Sequence, residues 1–231
     1  MRDIWIIAEN PAWASTLVSA AKSLDTAATL TAFVKGDEAA AKETISFGAA
    51  SAFALPLPAA GIWEDYTPAL VEKAKADKPA FILVSASKRG RDLAARLAAL
   101  LDAPFFCDAK NLALSGDAFS AETSVYGGAA VRTDSTKAPT VLVTLAAKSY
   151  DPTPANASNS GPVATLPYTQ GSVKVTERKA RAQQSVNLPE AAKVVAVGRG
   201  FAEEKDLAAA RDLAAALGAE MGCSRPIAEF F

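Results

Sequence analysis

The chain has 231 residues, of which 50% are hydrophobic and 21% charged, with a formal net charge of -1 and a pI near 5.6. That balance suits a soluble chain able to bury a core and gives no electrostatic basis for binding nucleic acid. Histidine is absent, which excludes Ser-His-Asp and Cys-His nucleophilic machinery and histidine-based metal sites. No apolar run is long enough to cross a bilayer, so no membrane insertion is expected. The strand-like run Ile4 to Ala8 begins at once, so no leader and a bacterial cytoplasmic location are expected. Cys107 and Cys223 are far apart and lack Cys-x-x-Cys spacing. They are expected to be reduced and partly buried, with no disulfide framework and no metal site.

Taken in order, Ile4–Ala8 predicts a first strand. Asn10 and Pro11 then cap a helix over 13–24, with Leu17, Ala20, Ala21 and Leu24 on one face. Ala28–Val34 reads as a strand, 37–45 as a short helix, and Ser51–Leu55 as a weaker strand broken by Pro56-Leu57-Pro58. Trp63 and Tyr66 fall in a loop, and 68–76 is helical. Ala80–Ser85 is the clearest buried strand, a continuous apolar run typical of a parallel sheet covered on both faces. This alternation predicts an α/β fold with a doubly wound, mainly parallel sheet.

Ser85 to Asp92 then forms a Ser/Gly/basic loop entering a helix from Leu93, with Arg89, Arg91 and Arg96 off its apolar face. It reads either as a solvated or interface-facing basic loop or as a phosphate site; the spacing of a P-loop is missing. Past Pro104, short alternating runs at 112–114, 120–126 and 129–133, separated by Ser-Gly and Gly-Gly turns, predict hairpins. Thr140–Leu145 returns as a core strand, so an antiparallel addition on one edge of the sheet is expected. Residues 149–171 are rich in Pro, Asn, Ser and Gly and read as an excursion; 172–177 alternate as an edge strand. The cluster Arg178, Lys179 and Arg181 reads as solvated. The domain boundary is expected at Leu188-Pro189, giving domains 1–188 and 189–231.

The last segment is a strand (Val194–Val197), a turn (Gly198-Arg199-Gly200), a helix closed by Gly218, and a second strand ending at Cys223-Ser224-Arg225-Pro226. Parallel pairing puts both carboxyl ends on the sheet edge where α/β proteins bind ligands. The guanidinium groups of Arg199 and Arg225, with Ser224, suit a phosphate or pyrophosphate. Glu203 and Glu204 already satisfy the helix dipole, so contacts to an anion fall to the arginines. Pro226 is expected to hold Arg225 extended or in a turn.

These residues carry a resemblance. The run from Val194 through GRG to CSRPIAE resembles the start of the FAD-binding domain of the electron-transfer flavoprotein alpha subunit. QQSVNLPEAAKVV resembles the connector entering it, and SASKRGRDLAARLAALLDAPFFCDA and ETSVYGGAAVR are similar to the N-terminal domain of that subunit. The resemblance covers the whole chain, least specifically before residue 80, and is closest to the bacterial FixB-like branch tied to carnitine, fatty-acid and nitrogen-fixation redox chemistry. It implies that Arg199, Ser224 and Arg225 lie against FAD, with Arg225 nearest the flavin ring; Gly198 and Gly200, flanking Arg199, are expected to belong to the same cofactor-binding set. It also implies an electron carrier rather than an enzyme, with dehydrogenases as donors. A beta subunit would be the partner, docking on the N-terminal domain, with Lys88–Arg91 a candidate contact.

Two departures bear on this. Val197 stands where the family usually has glycine. The family's later Gln-His and Asn-x-Asp elements have no counterpart, and the chain reaches Phe230-Phe231 with 189–231 as only the start of the FAD-binding domain. A C-terminally truncated subunit with an incomplete site, binding FAD weakly or not at all, is therefore expected. The alternative is a non-redox α/β module that binds AMP or ATP at Ser85–Arg91 or serves assembly. A sheet-edge hydrolase is disfavoured, since histidine and a nucleophile elbow are both missing.

Overall fold

The computed structural model describes residues 2–146, 149–179, 188, 191–201 and 203–230. It divides into two compact units, Met1–Thr176 and Glu177–Phe231. Arg181, Pro189 and Phe231, named above, lie outside the described residues.

The first unit is built on strands β1 (Asp3–Ala8), β2 (Thr29–Lys35), β3 (Ser51–Leu55), β4 (Phe81–Ser85), β5 (Phe105–Ser115), β6 (Ala118–Val125), β7 (Ala130–Thr136), β8 (Val141–Leu145) and β9 (Val163–Thr165). They form one sheet in the order β7-β6-β5-β8-β4-β1-β2-β3-β9. Every pairing from β5 through β8, β4, β1, β2 and β3 to β9 is parallel, while β5–β6 and β6–β7 are antiparallel. The mainly parallel sheet with an antiparallel edge is thus present.

Helices α1 (Pro11–Leu24) and α2 (Glu38–Ser46) cover one face, and α3 (Thr67–Asp77) and α4 (Lys88–Leu101) the other. The central strands β4 and β8 are buried along their whole length, which is why their sequences are continuous apolar runs rather than alternating ones. Each helix start has a local cause. Asn10 and Asp37 accept from the backbone N–H three residues on, and Pro11 stands in the first turn of α1.

The structure departs from the sequence reading at several points. Trp63 and Tyr66 do not fall in an irregular loop: they sit in a 3-10 turn and are fully buried against α3 and α4. α4 begins at Lys88, not Leu93, because Ser87 caps it by accepting from the Gly90 N–H at 2.9 Å. Residues 172–177 form no strand. The edge strand is β9, inside the Pro-rich excursion, where the Ala52 N–H reaches the Pro162 carbonyl at 3.1 Å. Both cysteines are free and exposed instead of partly buried.

Candidate functional site at the β10–β11 edge

The second unit contains β10 (Val194–Val197), α5 (Leu207–Leu217), β11 (Glu220–Cys223) and the short α6 (Arg225–Phe230). β10 and β11 pair in parallel, Val194 with Glu220 through Val197 with Cys223. The Ser224 N–H extends the ladder to the Val197 carbonyl at 2.9 Å. Gly198-Arg199-Gly200 and Ser224-Arg225 therefore leave the sheet at the same carboxyl edge, a placement the strand–turn–helix–strand pattern anticipates.

The turn after β10 is closed by the Phe201 N–H on the Gly198 carbonyl at 3.1 Å, and space around Gly198 and Gly200 is open. A 3-10 turn, Glu204–Asp206, precedes α5, so Glu203 and Glu204 stand before the helix and not within its first turn. Gly218 ends α5 in the left-handed conformation, as its position past the last periodic residue predicts.

Arg225 is not extended. It opens α6, with Pro226 next to it where a missing N–H costs no helical bond. Its side chain is 87% exposed and its Nε lies 2.7 Å from Glu229 Oε1, one turn on. Such an exposed pair is weak, so the guanidinium can be recruited by a stronger anion. Arg199, just past the end of the neighbouring strand β10, is exposed.

Beneath this edge lies an open apolar groove of about 460 Å³, with Val197, Leu207, Met221 and Ile227 among its lining residues. The core of the unit is small: Val197, Leu207, Ala210 and Ile227, with Val195, Phe201 and Met221 packed against them.

The basic segment of the first unit is a different environment. The Arg89 Nη1 contacts both oxygens of Glu64, at 3.1 and 2.9 Å, and Glu64 has a side chain only 6% exposed. Arg91 Nε lies 2.8 Å from Asp108 Oδ1, and Arg96 bonds Asp92. The Asp108 hydrogen bond holds the Arg91 guanidinium above its ordinary pKa. Asp108 is itself fixed by the buried Thr144 hydroxyl, which accepts from the Asp108 N–H at 2.8 Å. Each of these three arginines already has a carboxylate partner. Sequence reasoning overlooked Glu64 and Asp108, because nothing local in the sequence links them to their partners.

Among the described residues no helix is long and apolar enough to cross a membrane. Comparison with known proteins gives two family matches. Residues 5–170 match the electron transfer flavoprotein domain, and residues 187–230 match the electron transfer flavoprotein FAD-binding domain. The YdiR protein of Escherichia coli K12 is 39% identical over 168 residues, 72% of this chain and 54% of that protein. The chain thus matches about half the length of that relative. The FixB proteins of Salmonella typhimurium and Escherichia coli O157:H7 are 30% identical over 230 residues, 98% of this chain and 72% of each relative. With a family match over most of the first unit, a second over the two-stranded unit, and similarity to FixB along nearly its whole length, the chain belongs to the electron transfer flavoprotein family.

Proposed function

We propose that the chain is an alpha-subunit-like component of an electron transfer flavoprotein, and that its second unit contributes to an FAD site. The observation that carries this reading is the coincidence of two facts. Residues 187–230 match an FAD-binding domain, and within them one sheet edge collects two arginines, a serine hydroxyl and two uncrowded glycines.

The donor set fits the phosphate part of FAD. A pyrophosphate is anionic and is recognised by guanidinium pairs, hydroxyls and exposed backbone N–H groups. Arg199 and Arg225 supply the charge, Ser224 a hydroxyl, and Gly198 and Gly200 leave room for close approach. FAD, when bound, supplies reversible uptake and release of electrons. The chain's own residues bind and orient it. Arg225, which the family resemblance puts nearest the flavin ring, can be recruited to the cofactor because its bond to Glu229 is exposed and weak. The described part of the second unit supplies a core of few residues and an open groove, so this chain alone binds FAD weakly.

In this reading the protein is an electron carrier that makes no bonds in a substrate, pairs with a beta subunit, and receives electrons from dehydrogenases. Fatty-acid or carnitine metabolism is the setting that best suits it. The site is tested by titrating FAD into the 231-residue chain and following backbone amide NMR signals. Shifts are expected at Gly198–Gly200 and Ser224–Arg225, with an affinity in the range of about 0.1–1 mM. Arg199→Ala or Arg225→Ala should each weaken binding about tenfold, the equivalent of about 1.4 kcal/mol. Signals unmoved at those residues would refute the assignment, and flavin co-purifying at one per chain would refute weak binding. Co-purification with a co-expressed beta subunit tests the partner separately.

A further inference from the structure

The large sheet of the first unit ends differently on its two sides. On one side lies β9, three residues long, with Pro162 just before it and Pro167 shortly after. A short edge bracketed by prolines offers little backbone to a further strand. On the other side lies β7, seven residues long, with neither proline nor glycine in it. Its pairing with β6 runs without a shift, from Ala130 opposite Val125 to Thr136 opposite Phe119. Among the described residues no strand pairs with its outer side, which presents a regular row of N–H and C=O groups.

The sequence of β7, Ala130-Val131-Arg132-Thr133-Asp134-Ser135-Thr136, is self-complementary about Thr133. A second β7 laid antiparallel, with Thr133 opposite Thr133, brings Arg132 opposite the second copy's Asp134. By symmetry Asp134 then faces the second copy's Arg132, on the same face of the sheet. On the other face Val131, 61% exposed, gains Ser135 opposite it and Thr133 on the diagonal. Opposite charges and Thr–Thr pairs placed in this way each stabilise an antiparallel ladder by about 0.2–1 kcal/mol.

Within one chain Arg132 Nε already lies 2.7 Å from Asp134 Oδ2, and both side chains are well exposed. The second copy adds the two crossed pairs and closes a ring of four charges. β7 has no net charge and the whole chain only -1, so the like-charge repulsion that guards many edge strands is missing.

We propose that β7 is an interaction surface for a second copy of this chain: two β7 strands pair antiparallel about a two-fold axis at Thr133 and join two sheets into one. Main-chain hydrogen bonds supply the attraction, and the crossing of Arg132 with Asp134 fixes the register. The contact is isologous, so it closes at two copies. An edge of seven residues is smaller than a standard interface, so the dimer is weak, with a Kd of about 10–100 µM. This inference does not rest on the proposed function, and its test uses no flavin.

Sedimentation velocity of the 231-residue chain over about 1–500 µM is the test. The wild type should pass from one chain mass to two. Arg132→Asp sets acidic side chains against each other and Asp134→Arg sets basic ones; each should weaken association at least about tenfold. An equimolar mixture of the two variants restores opposite charge at both crossings. It should dimerise to within about threefold of wild type, although neither variant does so alone. Damage to the hairpin cannot produce that rescue. A wild type that stays at one chain mass overturns the proposal, including the case in which the edge takes a strand from a different protein. Variants that associate as well as wild type overturn it too, as does a mixture of folded variants that fails to recover.

A second measurement stands even where the charge variants fail to fold. Thr133→Cys, in a chain with Cys107→Ser and Cys223→Ser, should oxidise to a disulfide-linked dimer. Asp117→Cys in the same background, exposed in the turn between β5 and β6, should not. Equal cross-linking of the two overturns the register.

Discussion

Glu64 is the residue whose environment contradicts its type. A carboxylate with a side chain only 6% exposed persists because Arg89 engages both its oxygens. Arg89→Ala strands that charge and should destabilise the first unit by about 3 kcal/mol. Arg89→Ala with Glu64→Gln should recover part of the loss, since a neutral amide is cheaper to bury. Arg91→Ala, whose pair with Asp108 is largely exposed, should cost under about 1 kcal/mol. Urea unfolding of the three variants separates these values. The sequence shows the basic residues of 88–91 plainly and hides why they are there. Glu64 lies 25 positions away, and no periodicity links the two. The same holds for Asp65 and Tyr168, whose hydrogen bond spans 103 positions of sequence. Arg199, Ser224 and Arg225 are easier to place because a strand end is a local property, legible from where an apolar run stops.

At the scale of elements, the parallel core is legible because fully buried strands such as β4 and β8 have no polar alternation to confuse with a helix. What escapes notice is short or capped. β9 has only three residues inside a Pro-rich stretch and is stabilised by its neighbour β3, not by its own propensity. α4 starts early because Ser87 caps it and Gly90 lets its first turn press onto the end of β4. A Cβ on Gly90 would stand 1.9 Å from the Ser85 carbonyl oxygen, a backbone atom that cannot swing aside. Gly90→Ala should therefore cost about 3 kcal/mol as α4 is pushed from the sheet. Gly200→Ala, with nothing within 4 Å, should change stability by under about 0.5 kcal/mol. Thermal unfolding of both variants is the check.

For the whole molecule, the two units differ in what holds them. The first has a core on each face of its sheet; the second has five buried hydrophobic residues among those described, Val197, Leu207, Ala210, Ala214 and Ile227. Leu213 and Leu217 of α5 and Val194 of β10 remain exposed. Amides of β10 and β11 should consequently exchange at least about a hundredfold faster than those of β1 and β4. Equal protection would mean that the second unit is stabilised by something other than its own core.

The position of β8 has a consequence for synthesis. It is among the last strands of the first unit to emerge from the ribosome, yet it occupies the slot between β4 and β5. Until Val141–Leu145 have been made, the nascent chain carries two unpaired apolar strand edges facing an empty slot. The hairpins β5–β6–β7 close only locally and cannot fill it. Emergence of residues 141–145 is thus the step that lets β4 and β5 be joined into a continuous sheet. A pause before it is the point at which a cell would need to shield this chain.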